Sequence, residues 1–332
     1  MLHHPHNPKC QTKYILTGVT GGLGARILSD MLNKHNTAPN SIIATSRSPS
    51  KRPDFENLGV QFRVADYNDP STLEAAFQDV DNLLFMSSST RDTSTRIREH
   101  ANVVEAAKKA KVGKVWYVSL AFGGLGDGSK IGFQQAHYET EDMLQESGLD
   151  FVSLRAGVYS DAFPLFLNWY PSSKSVLLPK VTPPVSESRV AWTSRDELGE
   201  ATATLPAKGL EAFPSIKLKT EKNIVLLAGT RTESLIDIVD AINRVRGTEM
   251  PVEIREPEVW INACARDDEG GKPRAWFEAR LVFTQGVCDG DAAETDLAMK
   301  TLLGRTPETG LQTVERLLKK NPEYTWHQNH MR

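Results

Sequence analysis

Apolar residues recur along the first half of the chain in short, nearly unbroken runs, separated by longer segments of helical period. The runs are Tyr14 to Leu16, Ser41 to Thr45, Val60 to Val64, Asn82 to Met86, Lys114 to Ser119 and Asp150 to Leu154. They are rich in Val, Ile, Leu and Phe and barely alternate, the pattern of strands buried on both faces. Between them, Leu23, Ile27, Leu28, Met31 and Leu32 fall on one helical face, and Ile97, Ala101, Val104 and Ala107 on another. Strand–helix–strand order with crossovers predicts an α/β fold: a doubly wound parallel sheet with helices on both faces.

After residue 155 the rhythm breaks. Pro164, Pro171, Pro179, Pro183 and Pro184 crowd the next stretch. A strand from Ile224 to Leu227 and a helix from Thr232 to Arg246 then resume the α/β pattern, and Gly247 stops the helix. The remainder reads mostly helical, with a Gly/Asp-rich break from Asp267 to Gly271. The expected organisation is a nucleotide-binding core over 1–155 with a flexible arm at 1–12. Residues 224–247 return to that core. A smaller, mostly helical cap is built discontinuously from 156–223 and 248–332.

The sharpest motif closes the first strand and opens the first helix: Thr17, Gly18, Val19, Thr20, Gly21, Gly22, Leu23, Gly24. Such a loop needs Gly18 for its tight turn, Gly21 for close approach of backbone to a pyrophosphate, and Gly24 for helix–sheet packing. The helix start supplies free N–H groups and a positive dipole end. At a first strand–helix junction this is a Rossmann-type dinucleotide site. Thr20, Gly22 and Leu23 complete the cradle.

The second strand selects the dinucleotide. A site for NAD places an acid there to hold the ribose 2′-OH. From Ser41 to Ser50 the chain has none, and it offers Arg47, with Lys51 close behind. A guanidinium grips a 2′-phosphate bidentately, so the expected cofactor is NADP(H). Asp66 and Tyr67 are assigned to the adenine end. Ser87 and Ser88, at the end of the fourth strand, are assigned to the nicotinamide half, and Ser119 of the fifth strand to the cofactor site.

Composition adds exclusions. Lys plus Arg number 39 against 42 Asp plus Glu, a net charge of −3, so a nucleic-acid partner is not expected. Cys10, Cys264 and Cys288 form no CxxC pair, which argues against a disulfide scaffold or structural zinc and for a reducing, cytoplasmic setting. No apolar run reaches the roughly 18 residues of a membrane span. His3, His4 and His6 have no second cluster to complete a metal site.

A Tyr-x-x-x-Lys pair, which lowers a phenol pKa for proton donation in many short-chain reductases, is missing. Tyr138, on the helix after strand five, is followed at the fourth position by Asp142, and Tyr117 by Ala121; Tyr170 is followed by Lys174, but past strand six and with Pro171 between. His137, Tyr138 and Tyr159 are the candidates to aid protonation. Phe122, Gly157, Tyr159, Trp169 and Trp192 are the candidates to line the substrate pocket. Acceptors needing little proton help, such as quinones or activated alkenes, fit this set.

At these residues the chain resembles the NmrA-like group of atypical short-chain dehydrogenase/reductases, and within it the quinone reductases and triphenylmethane reductases. The likeness is specific at His137, Thr140, Glu141, Ser147, Gly148, Leu154, Arg155 and Gly157, and extends to residues 302–318. The resemblance implies NADP(H) at the glycine loop and Arg47, and a small-molecule substrate between core and cap. It implies either hydride transfer to a quinone-like or conjugated electrophile, in some members within natural-product pathways, or NADP(H) sensing in contact with a regulatory protein. A non-redox cyclase or isomerase on the same fold, and a homodimer, stay open. Plant relatives carry a catalytic lysine on the helix where this chain has Gln135 and Ala136, so lysine-dependent chemistry does not carry over.

Overall fold

The computed structural model describes residues 12–331. The expected arm, with His3, His4, His6 and Cys10, lies outside the described residues, apart from Thr12. Among the described residues nine strands are formed: β1 (Tyr14–Leu16), β2 (Ile42–Ser46), β3 (Gln61–Val64), β4 (Asn82–Met86), β5 (Lys114–Leu120), β6 (Phe151–Ala156), β7 (Val176–Pro179), β8 (Ile224–Leu227) and β9 (Val252–Arg255). Seven of them make one parallel sheet in the order β3-β2-β1-β4-β5-β6-β8. The order reverses between β1 and β4, the switch point at which open α/β sheets bind ligands.

Among the described residues twelve α-helices accompany the strands. Those of the first half are α1 (Gly22–Asn33), α2 (Arg52–Glu56), α3 (Pro70–Ala76), α4 (Thr93–Lys109) and α5 (Gly132–Ser147). Those of the second are α6 (Phe163–Leu167), α7 (Arg195–Lys208), α8 (Leu235–Arg246), α9 (Pro257–Asp267), α10 (Arg274–Asp289), α11 (Ala298–Leu303) and α12 (Gly310–Lys320). On one face of the sheet Ile27 and Met31 of α1 and Leu198 and Leu205 of α7 join Leu16, Trp116 and Val152 in a core. On the other, Val103 and Ala107 of α4 and Leu144 of α5 pack on Ile15, Phe85 and Tyr117. Burial on both faces explains why the strand runs do not alternate. Gly148 and Gly247 take left-handed conformations at the ends of α5 and α8, where a side chain would be strained.

Two features depart from the pattern read along the chain. Residues 156–223 contain α7, which packs along α1 and connects β6 to β8, so part of that stretch lies on the core. Gly199 lets the two helices close: a Cβ there would meet Arg26 Cγ at 2.4 Å. Small residues bury α7 almost all round, and this hides its helical stripe. The mostly helical cap also holds a two-stranded parallel sheet, β7 with β9, pairing Val176 with Val252. A four-residue strand is legible only through its partner. Among the described residues no helix is long and apolar enough to cross a membrane.

Candidate active site

A cavity of about 630 Å³ opens at the carboxyl ends of β1, β2 and β4. Its floor is the glycine loop. Gly18 has φ +67, and a Cβ on it would meet Met86 Cβ at 2.6 Å. A Cβ on Gly24 would lie 2.3 Å from the Gly18 carbonyl oxygen, so helix and strand touch backbone to backbone. The start of α1 has no side-chain cap, whereas α3, α4, α8 and α12 are capped by Asp69, Asp92, Ser234 and Thr309. Its first-turn residues Gly22, Leu23 and Gly24 line the cavity, the place an anion takes at a helix start. These observations fit a dinucleotide pyrophosphate.

The second-strand end supplies Ser46, Arg47, Ser48 and Lys51 to the wall. Arg47 is exposed, and Lys51 pairs with Asp54 at 3.1 Å. Asp66 turns its Oδ1 to the Asn68 N–H at 2.9 Å. The Tyr67 hydroxyl stands 2.6 Å from Thr17 Oγ1 and 2.8 Å from the Met86 carbonyl, tying β1, β3 and β4 together beside the loop. Burial pushes its pKa up, so it remains a neutral donor.

Ser87 and Ser88 line the cavity at the end of β4. The Ser88 N–H donates to His100 Nε2 at 2.9 Å, and its hydroxyl binds Glu99. Glu99 also accepts from Asn68 Nδ2 at 2.8 Å and Thr90 Oγ1 at 3.1 Å, which offsets the cost of a carboxylate buried to 5% exposure. His100 is buried, with its Nδ1 2.7 Å from Thr140 Oγ1; burial, then the nearby Arg96, lowers its pKa to about 3. Its neutral ring positions the Ser88 backbone.

Of the candidate proton donors, Tyr159 alone lines the cavity. Burial raises its pKa to about 12, keeping the phenol protonated. His137 sits 1% exposed under the sheet edge, Nδ1 2.8 Å from the Tyr117 hydroxyl, and burial holds it neutral. The Tyr138 hydroxyl is committed to the Phe122 carbonyl at 2.7 Å. Neither reaches the cavity, because the core face of α5 carries both. Ser119 is fully buried on β5 with its hydroxyl unpartnered among the described residues. Gly157 is a packing glycine: a Cβ would meet Thr193 Oγ1 at 2.3 Å. Phe122, Trp169 and Trp192 are buried in a second core that joins the sheet edge to the cap.

Sequence reading missed Asn68, Thr90 and Glu99 of the wall, and also four residues brought in from the second half of the chain. Arg195, at the start of α7, sets its Nη1 2.7 Å from where a Cβ on Gly22 would lie, bringing a cation against the glycine loop. Its guanidinium stacks 5.0 Å over the Trp326 ring. Trp326, His327 and Gln328 then close the cavity from the far end of the chain. Nothing in local spacing announces that Arg195 bridges residue 22 and residue 326.

A family model described as NAD(P)H-binding matches residues 18–165. The NmrA-like family domain-containing oxidoreductase flvB of Aspergillus flavus is 41% identical over 318 residues, covering 95% of this chain and 98% of that protein. Quinone oxidoreductase 2 of Escherichia coli is 38% identical over 149 residues, 45% of this chain and 49% of its own length. The triphenylmethane reductase of Citrobacter sp., solved in complex with NADP(H), superposes with a TM-score of 0.77 at 25% identity over 92% of this chain and 99% of that one. This chain belongs to the NmrA-like family and is an NAD(P)H-binding oxidoreductase.

Proposed function

We propose that the protein is an NADPH-dependent reductase that passes hydride to a quinone-like or conjugated small molecule. The carrying observation is the β2 end: Ser46, Arg47, Ser48 and Lys51 line the cavity and no carboxylate stands among them. That set holds a 2′-phosphate and gives a bare 2′-hydroxyl no acceptor of the acidic kind. The cofactor supplies the hydride. The chain's own part is to fix the pyrophosphate between the α1 start and Arg195, to exclude water with the Trp326 segment, and to offer the Tyr159 phenol as a donor. Acceptors that form a stable anion on reduction need little more.

The commitment of Tyr138 and His137 to structural hydrogen bonds favours a second reading, a protein that binds NADP(H) as a sensor without turnover. Following absorbance of NADPH against a panel of quinones and conjugated electrophiles separates the two. Turnover with any acceptor supports the reductase. Tight NADPH binding with no turnover across the panel favours the sensor.

A further inference from the structure

The cap holds a buried cation that no described residue neutralises. Arg280, on α10, is 9% exposed. Its Nε has no hydrogen-bond partner, and its Nη2 reaches only the Leu165 carbonyl, at 3.3 Å. It forms no ion pair with any described residue. Burial alone lowers its pKa, to about 9. Lys272, close enough for Arg280 to depress its pKa, is neutralised by Asp268 at 2.8 Å. Arg280 has no such acid.

Aromatic rings surround the guanidinium. Its carbon stands 4.0 Å from the centroid of Phe283, 4.7 Å from Phe166 and 5.5 Å from Trp276. Ring faces offset part of the cost of a desolvated cation, less than a counter-ion does. Leu165, Phe166 and Trp276 are only half-buried, so the cage has an open side.

The same rings lead back to the reacting end of the site. Phe166 lies on the segment that follows Tyr159 and stacks on Phe283 at 5.2 Å and 11°. Phe283 meets Phe122, just past the carboxyl end of β5, edge-on at 5.2 Å. A continuous row of aromatic contacts thus runs from the sheet edge to a buried unpaired guanidinium.

We propose that Arg280 recognises an anionic group, a carboxylate on a planar conjugated frame, and that the physiological substrate carries one. The guanidinium fork binds a carboxylate bidentately, and the half-buried Phe166 and Trp276 flank the frame on the open side. This rests on the reductase reading above and adds the charge of the acceptor.

Calorimetric binding of trans-cinnamate and of its neutral isostere trans-cinnamamide to the full-length protein tests it, with and without saturating NADPH. The wild type is expected to bind the acid at least tenfold more tightly than the amide. Arg280→Met is expected to abolish that preference and Arg280→Lys to keep part of it. Arg280→Met is also expected to melt no lower than the wild type, because it removes an unpaired buried charge. Equal affinities for acid and amide in the wild type overturn the proposal, as does a preference that survives Arg280→Met. A lowered melting point with equal affinities assigns Arg280 to packing and overturns it too. The NADPH titration is read separately: failure there overturns the reductase reading, while the acid preference without cofactor still decides Arg280.

Discussion

The Lys272 ammonium donates to both the backbone carbonyl and the Oδ1 of Asn329, each at 2.9 Å. Asn329 is fully buried, and its Nδ2 donates to the Trp169 carbonyl at 2.9 Å. Asp268 and the Tyr170 hydroxyl complete the cluster around the ammonium. This anchor fixes the segment that carries Trp326, His327 and Gln328 across the cofactor cavity. A buried polar cluster in the cap is therefore one tether of the segment that closes the cavity, beside the Tyr324 hydroxyl on the Asp161 carbonyl at 2.8 Å.

Asn329→Ala leaves a buried ammonium short of one acceptor, the Oδ1, and the Trp169 carbonyl short of its donor, at a cost of about 1–3 kcal/mol. The expected outcome is a melting point lowered by several degrees together with NADPH affinity weakened several-fold. Thermal melts and fluorescence titration on the same sample check it. An unchanged NADPH affinity in a destabilised variant would separate the anchor from the cavity.

Arg47→Glu is expected to weaken NADPH binding about 10- to 100-fold, the loss of charge-assisted hydrogen bonds worth about 1.5–3 kcal/mol. NADH binding should change by less than about threefold, since its ribose lacks the phosphate. Parallel titrations with both dinucleotides read the difference. Equal losses for both would place Arg47 outside the 2′-phosphate site.

Gly24→Ala drives a Cβ to within 2.3 Å of a carbonyl oxygen, so loss of NADPH binding or of folded protein is expected. Gly148→Ala makes the contrasting control. Its left-handed φ of +76 costs a side chain roughly 1–2 kcal/mol, but nothing lies within 4 Å of the new Cβ. That variant should melt lower and bind NADPH normally. Circular dichroism melts and NADPH titration distinguish the two.

The architecture was legible in the first half of the chain because buried parallel strands leave unmistakable apolar runs. The β1, β4 and β8 runs coincide with the strands, and the others shift by a residue or two. The glycine loop was legible because its chemistry is local: turn, cradle and helix start lie within eight residues. The missed parts depend on contacts distant in sequence. Arg195 reaches the loop through the α1–α7 packing, and Trp326 through the Lys272–Asn329 anchor together with the Tyr324–Asp161 hydrogen bond. His137 looked like a proton donor because spacing shows which helix a residue is on, and not which face the sheet covers.

Acid should destabilise the fold through buried histidines. His100 titrates near 3 in the folded chain and near about 6.5 when unfolded. A base with a depressed folded pKa stabilises the fold above its unfolded value, and that contribution falls away as pH drops from about 6.5 toward 3. His137 adds to the same limb, its pKa also being lowered by burial. Stability measured by urea denaturation should therefore decline below pH 6.5, and His100→Gln should flatten the decline. A variant with an undiminished acid limb would move the effect to other groups.

The central claim is a cavity built for NADPH that delivers hydride to a conjugated acceptor. Titrating the pure protein with NADPH and NADH, then adding a quinone panel to the NADPH complex and following absorbance, tests it most directly. The account expects at least tenfold tighter binding of NADPH and steady loss of its absorbance with one or more acceptors. Equal binding of the two dinucleotides, or no binding of either, would contradict it.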